Sequence, residues 1–339
     1  MAKPSPLGSP HSAGVCSIIA QSLAFIALAL PLEALLGYPQ ALYRAIGHPV
    51  VWIGAIISAL DRHLNRPTWP ATLRRLAGVL GMLLLCAGTT GLSLALQQAI
   101  RTLLPAPWSM LILVLLGTSL LAQRSLYDHV AAVARGLRDG GLEGGRKAVS
   151  MIVGRNPQTL DEAGVCRAAI ESLAENFADG IVCPALWAAL FGLPGLVFYK
   201  TVNTADSMIG HRTPRHEAFG WAAARLDDVI NLPGARLSSL LLALAAGPRA
   251  GTAARAAWRD ARGHRSPNAG WPEAAMAGAL GLRLAGPRIY GDIRVEDAWM
   301  GDGTPDASEA DLRRALHLYR IACALLMALA GTLALIARG

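Results

Sequence analysis

Carboxylates, amides and cationic side chains are concentrated between residues 161 and 237, at spacings that could assemble a site for a metal ion and a phosphate. In ESLAENFADG (171–180), Glu171, Glu175 and Asp179 follow one another at intervals of four residues. An α-helix turns about 100° per residue, so the three carboxylates are predicted to share one helix face. Because like charges at this spacing destabilise a helix slightly, a bound cation, a basic partner or a function would explain them. A solvated helix face is the alternative interpretation.

Two later segments combine oxygen ligands with cations. The oxygen ligands are Asn203, Asp206, Asp227 and Asp228, and the neighbouring cations are Lys200, Arg212, Arg225 and Arg236. Carboxylate oxygens suit Mg²⁺, which is usually held by one or two carboxylates together with substrate phosphates. Arginine recognises phosphate and carboxylate groups through a two-pronged fork. The pattern therefore predicts a phosphorylated substrate, with salt bridges that steady helices as the alternative.

A third polar segment, GHRSPNAGWPEAAMAGALGLRLAGPRIYGD (263–292), supplies His264, Arg265 and Asn268 as candidate substrate contacts. Within it, SPNAGWP predicts a turn that opens a helix near Pro272, since proline favours the first helical position. Free backbone N–H groups at a helix start can bind an anion. The sequence contains no P-loop, HExxH or GxSxG motif, so any use of ATP would not involve a P-loop.

The composition places these residues in a membrane protein. Of 339 residues, 53% are hydrophobic and only 16% are charged, whereas soluble proteins average about 25% charged residues. This excludes a disordered chain, a disulfide-rich secreted domain and an ordinary cytosolic enzyme. We interpret the net charge of +8 as Lys and Arg in cytoplasmic loops, which fix orientation in the membrane. Nucleic-acid binding is not predicted, because no basic run with interleaved aromatic residues occurs. The five cysteines lack CxxC spacing, so neither a disulfide framework nor a zinc site is expected.

The fold class predicted from apolar runs is an all-α polytopic membrane protein with four or five transmembrane helices. A spanning helix needs about 20 mostly apolar residues, and the candidates are residues 15–36, 76–100, 108–123, 181–199 and 317–337. Two shorter runs, 50–60 and 237–246, could be re-entrant, interfacial or buried in protein. We expect a tail at 1–14 and one helical domain over 15–339, with polar segments at about 124–180, 200–236 and 247–315.

Helices are also predicted in the first polar segment. Apolar residues at spacings of three and four indicate an amphipathic helix from about residue 124, which Gly140 and Gly141 should interrupt. TLDE (159–162) fits a capping box and predicts a helix starting near Thr159.

Taken in order, several long strings of this chain closely resemble the CobD/CbiB family of cobalamin biosynthesis, the adenosylcobinamide-phosphate synthases. The strings are HPVVWIG (48–54), RSLYDHV (124–130), IVGRNP (152–157), ESLAENFADGIVCPALW (171–187), KTVNTADSMIGHR (200–212), FGWAAARLDDVINLPGARL (219–237) and HRSPNAGWPEAAMAGALGLRLAGPRIYGD (264–292). One departure is visible near the first span, where the family typically has an aspartate and this chain has Glu33.

The resemblance implies an amide-forming membrane enzyme. It would join the free propionate of adenosylcobyric acid, a corrinoid, to (R)-1-amino-2-propanol O-2-phosphate or aminopropanol, with ATP activating the acid and Mg²⁺ assisting. On this hypothesis the catalytic carboxylates are Glu171, Glu175, Asp179, Asp227 and Asp228, and Glu175, Asp179, Asp206 and Asp228 are the candidate Mg²⁺ ligands. Phosphate or propionate would be held by Lys200, Asn203, Arg212, Arg225, Arg236, His264, Arg265 and Asn268.

Two other classes remain open on the residues alone. Aspartate-rich helices also suit an intramembrane transferase that holds a Mg²⁺-diphosphate, and buried charges also suit a transporter or an assembly subunit. The apolar spans predict an inner-membrane location. The Arg-rich segments, together with the need for ATP, predict a cytoplasmic active face. The resemblance further implies contact with membrane lipid and association with other proteins of the cobalamin pathway.

Overall fold

The protein is an assembly of thirteen α-helices in the residues that the computed structural model describes, namely 10–154, 156–290 and 293–338. The helices are α1 (Pro10–Leu36), α2 (Gln40–Ile46), α3 (Pro49–Leu64), α4 (Ala71–Leu103), α5 (Trp108–Thr118), α6 (Gln123–Val149), α7 (Glu162–Phe177), α8 (Cys183–Ile209), α9 (Trp221–Ile230), α10 (Leu232–Ala245), α11 (Ala250–Asp260), α12 (Gly270–Leu280) and α13 (Glu309–Ile336). Short 3₁₀ turns cover Pro157–Thr159, Gly247–Arg249 and Ala261–Gly263, and a π-helical turn at Ala178–Val182 joins α7 to α8. Two short antiparallel ladders pair β1 (Leu284–Ala285) with β4 (Trp299–Met300) and β2 (Arg288–Tyr290) with β3 (Ile293–Val295).

Six helical segments are long and apolar enough to cross a membrane, which confirms the all-α polytopic class. They are Ser17–Leu36, Ala41–Leu64, Ala71–Leu103, Trp108–Val149, Glu162–Ile209 and Glu309–Ile336. The bent pair α9 and α10, with an angle of 46°, is a possible seventh. The described residues thus contain one or two more candidate spans than the four or five predicted from the sequence. The apolar run 50–60 is short by itself, but helix continues on both sides of it.

Local helix signals were partly right. Gly141 interrupts α6 with φ 58° and ψ −153°, as predicted. The helix expected near Thr159 instead begins at Glu162, because Asp161 is its N-cap and its Oδ1 accepts the Gly164 N–H at 2.7 Å. The helix that was predicted to begin near Pro272 begins at Gly270.

Helices α1 and α8 run in parallel through the core, and this fixes the end of the bundle at which the polar residues of α8 lie. Gly192 faces Ser22, while Gly117 of α5 packs against both Phe25 and Leu196. Residues 200–206 are therefore located toward the Leu36 end of α1.

A buried carboxylate, Glu33, ties α1 to the start of α6. Its Oε2 accepts the Gln123 N–H at 2.9 Å and its Oε1 accepts the Arg124 N–H at 3.2 Å. Glu33 is only 2% exposed. The first N–H groups of a helix have no partner within the helix, and Glu33 satisfies two of them. Glu33 thus caps the N-terminus of α6.

Candidate active site

An acidic cavity opens beside the C-terminal half of α7. It has a volume of about 500 Å³, and its polar lining consists of Glu171, Ser172, Glu175, Asn176, His211, His264 and Glu273. Residues 152–154, which follow α6, close one side. Glu171 and Glu175 thus share a helix face, as their spacing predicts, and His264 joins them from a segment about 90 residues away in the chain.

Asp179 is directed to a different set of partners. It lies in the π-helical turn Ala178–Val182, and such turns are frequent at functional sites. Its carboxylate interacts electrostatically with Glu175, Lys200, Asp206 and Asp227. We call Asp179, Tyr199, Lys200, Asn203, Asp206, Asp227 and Asn231 the aspartate cluster. It adjoins the acidic cavity through the pairs Glu175–Asp179 and His211–Asp206.

Hydrogen bonds hold the aspartate cluster in place. The Tyr199 hydroxyl donates to Asn231 Oδ1 at 2.8 Å, and Asn231 Nδ2 donates to Asp227 Oδ2 at 2.8 Å. Lys200 Nζ donates to Asn203 Oδ1 at 3.3 Å. Tyr199 and Asn231 are at most 1% exposed, so α8, α9 and α10 fix the cluster before any ligand binds.

One oxygen of the cluster lacks a hydrogen-bond donor at bonding distance among the residues described. Asp227 Oδ1 is buried and forms no hydrogen bond with the described residues, although the Asn203 side chain lies nearby. A buried polar atom without a partner is costly. This oxygen is therefore suited to a cation or to a donor group of a ligand.

A chain of polar contacts extends from the aspartate cluster to the protein surface. Asp228 accepts from Arg225 at 2.9 Å, and its backbone carbonyl accepts from Asn268 Nδ2 at 2.8 Å. Asn268 Oδ1 in turn accepts from Arg236 at 2.8 Å, and the Arg236 guanidinium lies 4.8 Å from the centre of the Trp271 ring. These contacts connect four of the predicted site residues, namely Arg225, Asp228, Asn268 and Arg236. Asp228 also interacts electrostatically with Asp206, which links them to the aspartate cluster.

Two predicted phosphate ligands lie apart from this arrangement. Arg265 is paired with Asp297 at 2.6 Å, and its side chain is 60% exposed. Arg212 is exposed in the loop after α8 and does not line the acidic cavity. Their roles in substrate binding stay predictions.

Glu171 has a structural contact that its sequence pattern did not indicate. Its Oε1 accepts the Ala285 N–H at 2.9 Å, and Ala285 has a φ of 56°. An L-residue in this left-handed region is strained, so the bond helps to hold the Leu284–Gly286 turn against α7. Strain of this kind is common at functional sites.

His48 is a residue that sequence reasoning quoted but did not assign to the site. It begins α3, its Nδ1 accepts the Val50 N–H at 3.2 Å, and its ring lies 4.6 Å from that of Tyr38. It also interacts electrostatically with Lys200. Gly54 of α3 lies against Met208 of α8, so the two helices run in parallel and His48 is level with the aspartate cluster. Because Nδ1 is an acceptor, a neutral His48 carries its proton on Nε2.

No group of three or more His, Cys, Asp or Glu side chains close enough to hold a metal ion occurs among the residues described. The predicted ligands Glu175, Asp179, Asp206 and Asp228 therefore do not form a complete metal cage by themselves.

Comparison with known proteins identifies relatives over nearly the whole chain. The family described as CobD/Cbib protein matches residues 26–319. A Cobalamin biosynthesis protein CobD from Rhodobacter capsulatus is 54% identical over 302 residues, covering 89% of this chain and 94% of the relative. Proteins of the same name from Rhizobium meliloti and Brucella suis are each 51% identical, covering 91% and 88% of this chain and 95% and 92% of their own lengths. No solved structure matches this chain significantly.

Proposed function

Because this chain belongs to the CobD/Cbib protein family of cobalamin biosynthesis, we propose that it is an acid–amine ligase. It would form an amide bond between the free propionate of adenosylcobyric acid and (R)-1-amino-2-propanol O-2-phosphate or aminopropanol. The product would be adenosylcobinamide phosphate or adenosylcobinamide.

The observation that carries this proposal is the contact between the acidic cavity and the aspartate cluster. A ligase of this kind must hold an ammonium group and remove protons from it, and it must also handle the charge of an activated acid. The carboxylates and imidazoles that line the acidic cavity would hold the ammonium group and accept its protons. Lys200, beside Asp179 and Asp227, would interact with the charge of the activated acid.

We assign the amine to the acidic cavity. Glu175 is exposed and lines the cavity beside Asp179. It is therefore the candidate base that would accept a proton as the amine attacks the acyl carbon and the activating phosphate leaves. Glu171 is held by Ala285 and would contribute negative charge rather than proton transfer. His264 Nε2 lies 3.7 Å from Glu273 Oε1, which orients the imidazole on the opposite wall of the cavity.

We assign the acid and its activating group to the aspartate cluster. Lys200 Nζ and the Nε2–H of His48 are the donors that would contact anionic oxygens there. Arg236, held by Asn268, would contact the phosphate or an amide at the edge of the corrinoid. The chain Arg225–Asp228–Asn268–Arg236 connects this edge to the cluster.

ATP and Mg²⁺ are the proposed co-reactants, since a carboxylate and an amine do not condense usefully in water. When bound, ATP would supply the phosphoryl group that turns the propionate into an acyl phosphate. The buried Asp227 Oδ1 fits a hard cation, with Asp206 and Asp228 as further oxygen ligands. Protein carboxylates would supply only part of the coordination, and substrate phosphates the rest.

A reconstitution tests the proposal directly. The purified protein in detergent is incubated with adenosylcobyric acid, aminopropanol phosphate, ATP and Mg²⁺, and the products are measured by mass spectrometry. We expect a corrinoid product heavier by the amine minus one water, and none when the amine or ATP is omitted. Turnover of a prenyl diphosphate in place of the corrinoid would contradict the proposal and favour a transferase.

A further inference from the structure

A second cavity lies between α1, α6 and α13. Its volume is about 400 Å³. Its lining combines polar side chains, including Gln123, Arg124, Asp128 and Arg320, with apolar ones, including Ala34, Ala324 and Met327. We call it the interfacial cavity. The cavity is therefore amphipathic, which suits a ligand that has a charged head and an apolar tail.

Three apolar segments end together at the interfacial cavity. The first candidate span ends at Leu36, and Leu35 and Leu36 beside the cavity are 74% and 62% exposed. In α13, Arg320 is followed by 17 residues without a charge, 321–337. The apolar residues that follow α5 likewise end at Ala122, immediately before Gln123. Charged residues at the ends of apolar spans lie at the boundary between hydrocarbon and headgroups, so this cavity faces the lipid headgroup layer.

The polar side chains of the cavity carry both signs of charge and one unused acceptor. Arg124 and Asp128 form an ion pair at 3.1 Å, with side chains that are 51% and 54% exposed. Arg320 is exposed and has no ion pair among the residues described. Gln123 is 3% exposed, and its Nε2 donates to the Leu30 carbonyl at 2.7 Å. Its Oε1 is buried and has no hydrogen-bond partner in the described part of the chain.

We propose that the interfacial cavity binds a membrane phospholipid whose headgroup carries a primary amine. Arg320 contacts the phosphodiester, the ammonium group donates to Gln123 Oε1 and faces Asp128, and the acyl chains lie along Ala34, Ala324 and Met327. A primary ammonium group satisfies this acceptor because it carries N–H donors. A quaternary ammonium group has the same charge but no N–H to donate. A headgroup without nitrogen would leave the carboxylate of Asp128 without a cationic contact from the lipid.

Native mass spectrometry of the purified full-length protein tests this binding. The protein is delipidated in detergent and then mixed with equal amounts of phosphatidylethanolamine, phosphatidylcholine and phosphatidylglycerol. We expect phosphatidylethanolamine to be retained about tenfold more than phosphatidylcholine, the ratio that one charge-assisted hydrogen bond to a buried acceptor can provide. Equal retention of the ethanolamine and choline lipids would overturn the proposal.

Three variants separate this site from general lipid adhesion. Arg320→Gln should lower retention of all three lipids, while Asp128→Asn should reduce only the preference for the ethanolamine headgroup. The matched control is Arg62→Gln, an exposed arginine in the last turn of α3, which should behave as the wild type. Unchanged lipid retention in the Arg320 variant, with the protein folded, would show that the cavity is not the site.

A water-soluble probe distinguishes a lipid from a free amino phosphate. Phosphoethanolamine carries the same head chemistry without acyl chains, and at the same concentration it should displace little of the bound lipid. Displacement as effective as that by the lipid itself would mean that the cavity takes a soluble ligand, and the assignment to a lipid would be wrong.

Discussion

Asp227 brings together the burial and the charge that the proposed chemistry needs. Asp227→Asn keeps the shape of the side chain and an acceptor for Asn231, but it removes the anion. We expect turnover to fall by about 10²–10³, the usual cost of losing charge stabilisation in a transition state. The melting temperature should stay near that of the wild type.

The control for this variant is Asp139→Asn, whose carboxylate is 71% exposed and pairs with Arg138 on the surface of α6. It should leave turnover unchanged. If Asp227→Asn were instead active but poorly folded, the aspartate cluster would be a structural salt-bridge network, since breaking a buried pair costs about 3–5 kcal/mol.

His48 offers a matched pair of substitutions because its two ring nitrogens have different tasks. Asparagine can replace Nδ1 as the cap of α3 but lacks the distal N–H, so His48→Asn should fold normally and lose turnover. Glutamine places an N–H near the position of Nε2 but caps poorly. His48→Gln should therefore keep more turnover and lose about 1 kcal/mol of stability. Equal turnover in the two variants would exclude a substrate contact by Nε2.

Residue types and spacing predicted which of these side chains lie near one another, but not their division into a cavity and a cluster. The intervals among Glu171, Glu175 and Asp179 indicated a common face, and this is right for the two glutamates. The π-helical turn separates Asp179 from them, and nothing in a four-residue spacing signals an extra residue in a turn. His48 was missed because its partner Lys200 is about 150 residues away, and only the parallel packing of α3 on α8 brings them together.

At the scale of single elements, we expect replacement of Glu33 to lower the stability of the protein without changing its catalytic activity. Glu33→Gln replaces one acceptor oxygen with an NH₂ group, which cannot accept from the first N–H groups of α6. Removing a buried acceptor commonly costs about 1–3 kcal/mol. We expect a lower melting temperature in detergent and unchanged turnover per folded molecule. Reduced turnover at full stability would give this carboxylate a functional role.

Helix existence was easier to predict than helix boundaries or the number of spans. Long apolar runs identified α1, α4, α8 and α13 because hydrophobicity over 20 residues is a strong signal. The run at residues 50–60 was ambiguous because it is half that length, and its continuation depends on α2 and on packing against α8. Near Thr159, TLDE has two residues able to cap a helix, and the structure uses Asp161.

For the whole molecule, the apolar spans predict integral membrane association. The protein should sediment with the inner membrane and resist extraction by alkaline carbonate, because the spans cannot be solvated by water. Its appearance in the soluble fraction after carbonate treatment would contradict the assignment of the spans.

The end of the bundle that carries the proposed site should face the cytoplasm, where ATP is available. An alkaline phosphatase fusion after Arg262, close to His264 in the chain, should therefore be inactive, because that enzyme folds only on the outer side. A green fluorescent protein fusion at the same position should be fluorescent. The opposite pattern of the two reporters would place the site outside the cell.

The π-helical turn at Ala178–Val182 also holds one residue more than an ordinary helical turn would. Deleting one residue there would restore an ordinary helix and leave the helices on its two sides nearly in their present phase. Deleting Ala188 from the regular part of α8 would instead rotate everything beyond it by about 100°, with a shift of about 1.5 Å along the axis. Lys200 and Asn203 would then leave Asp179 while Glu171 and Glu175 kept their places. The deletion in α8 should therefore disable the protein far more than the deletion in the turn.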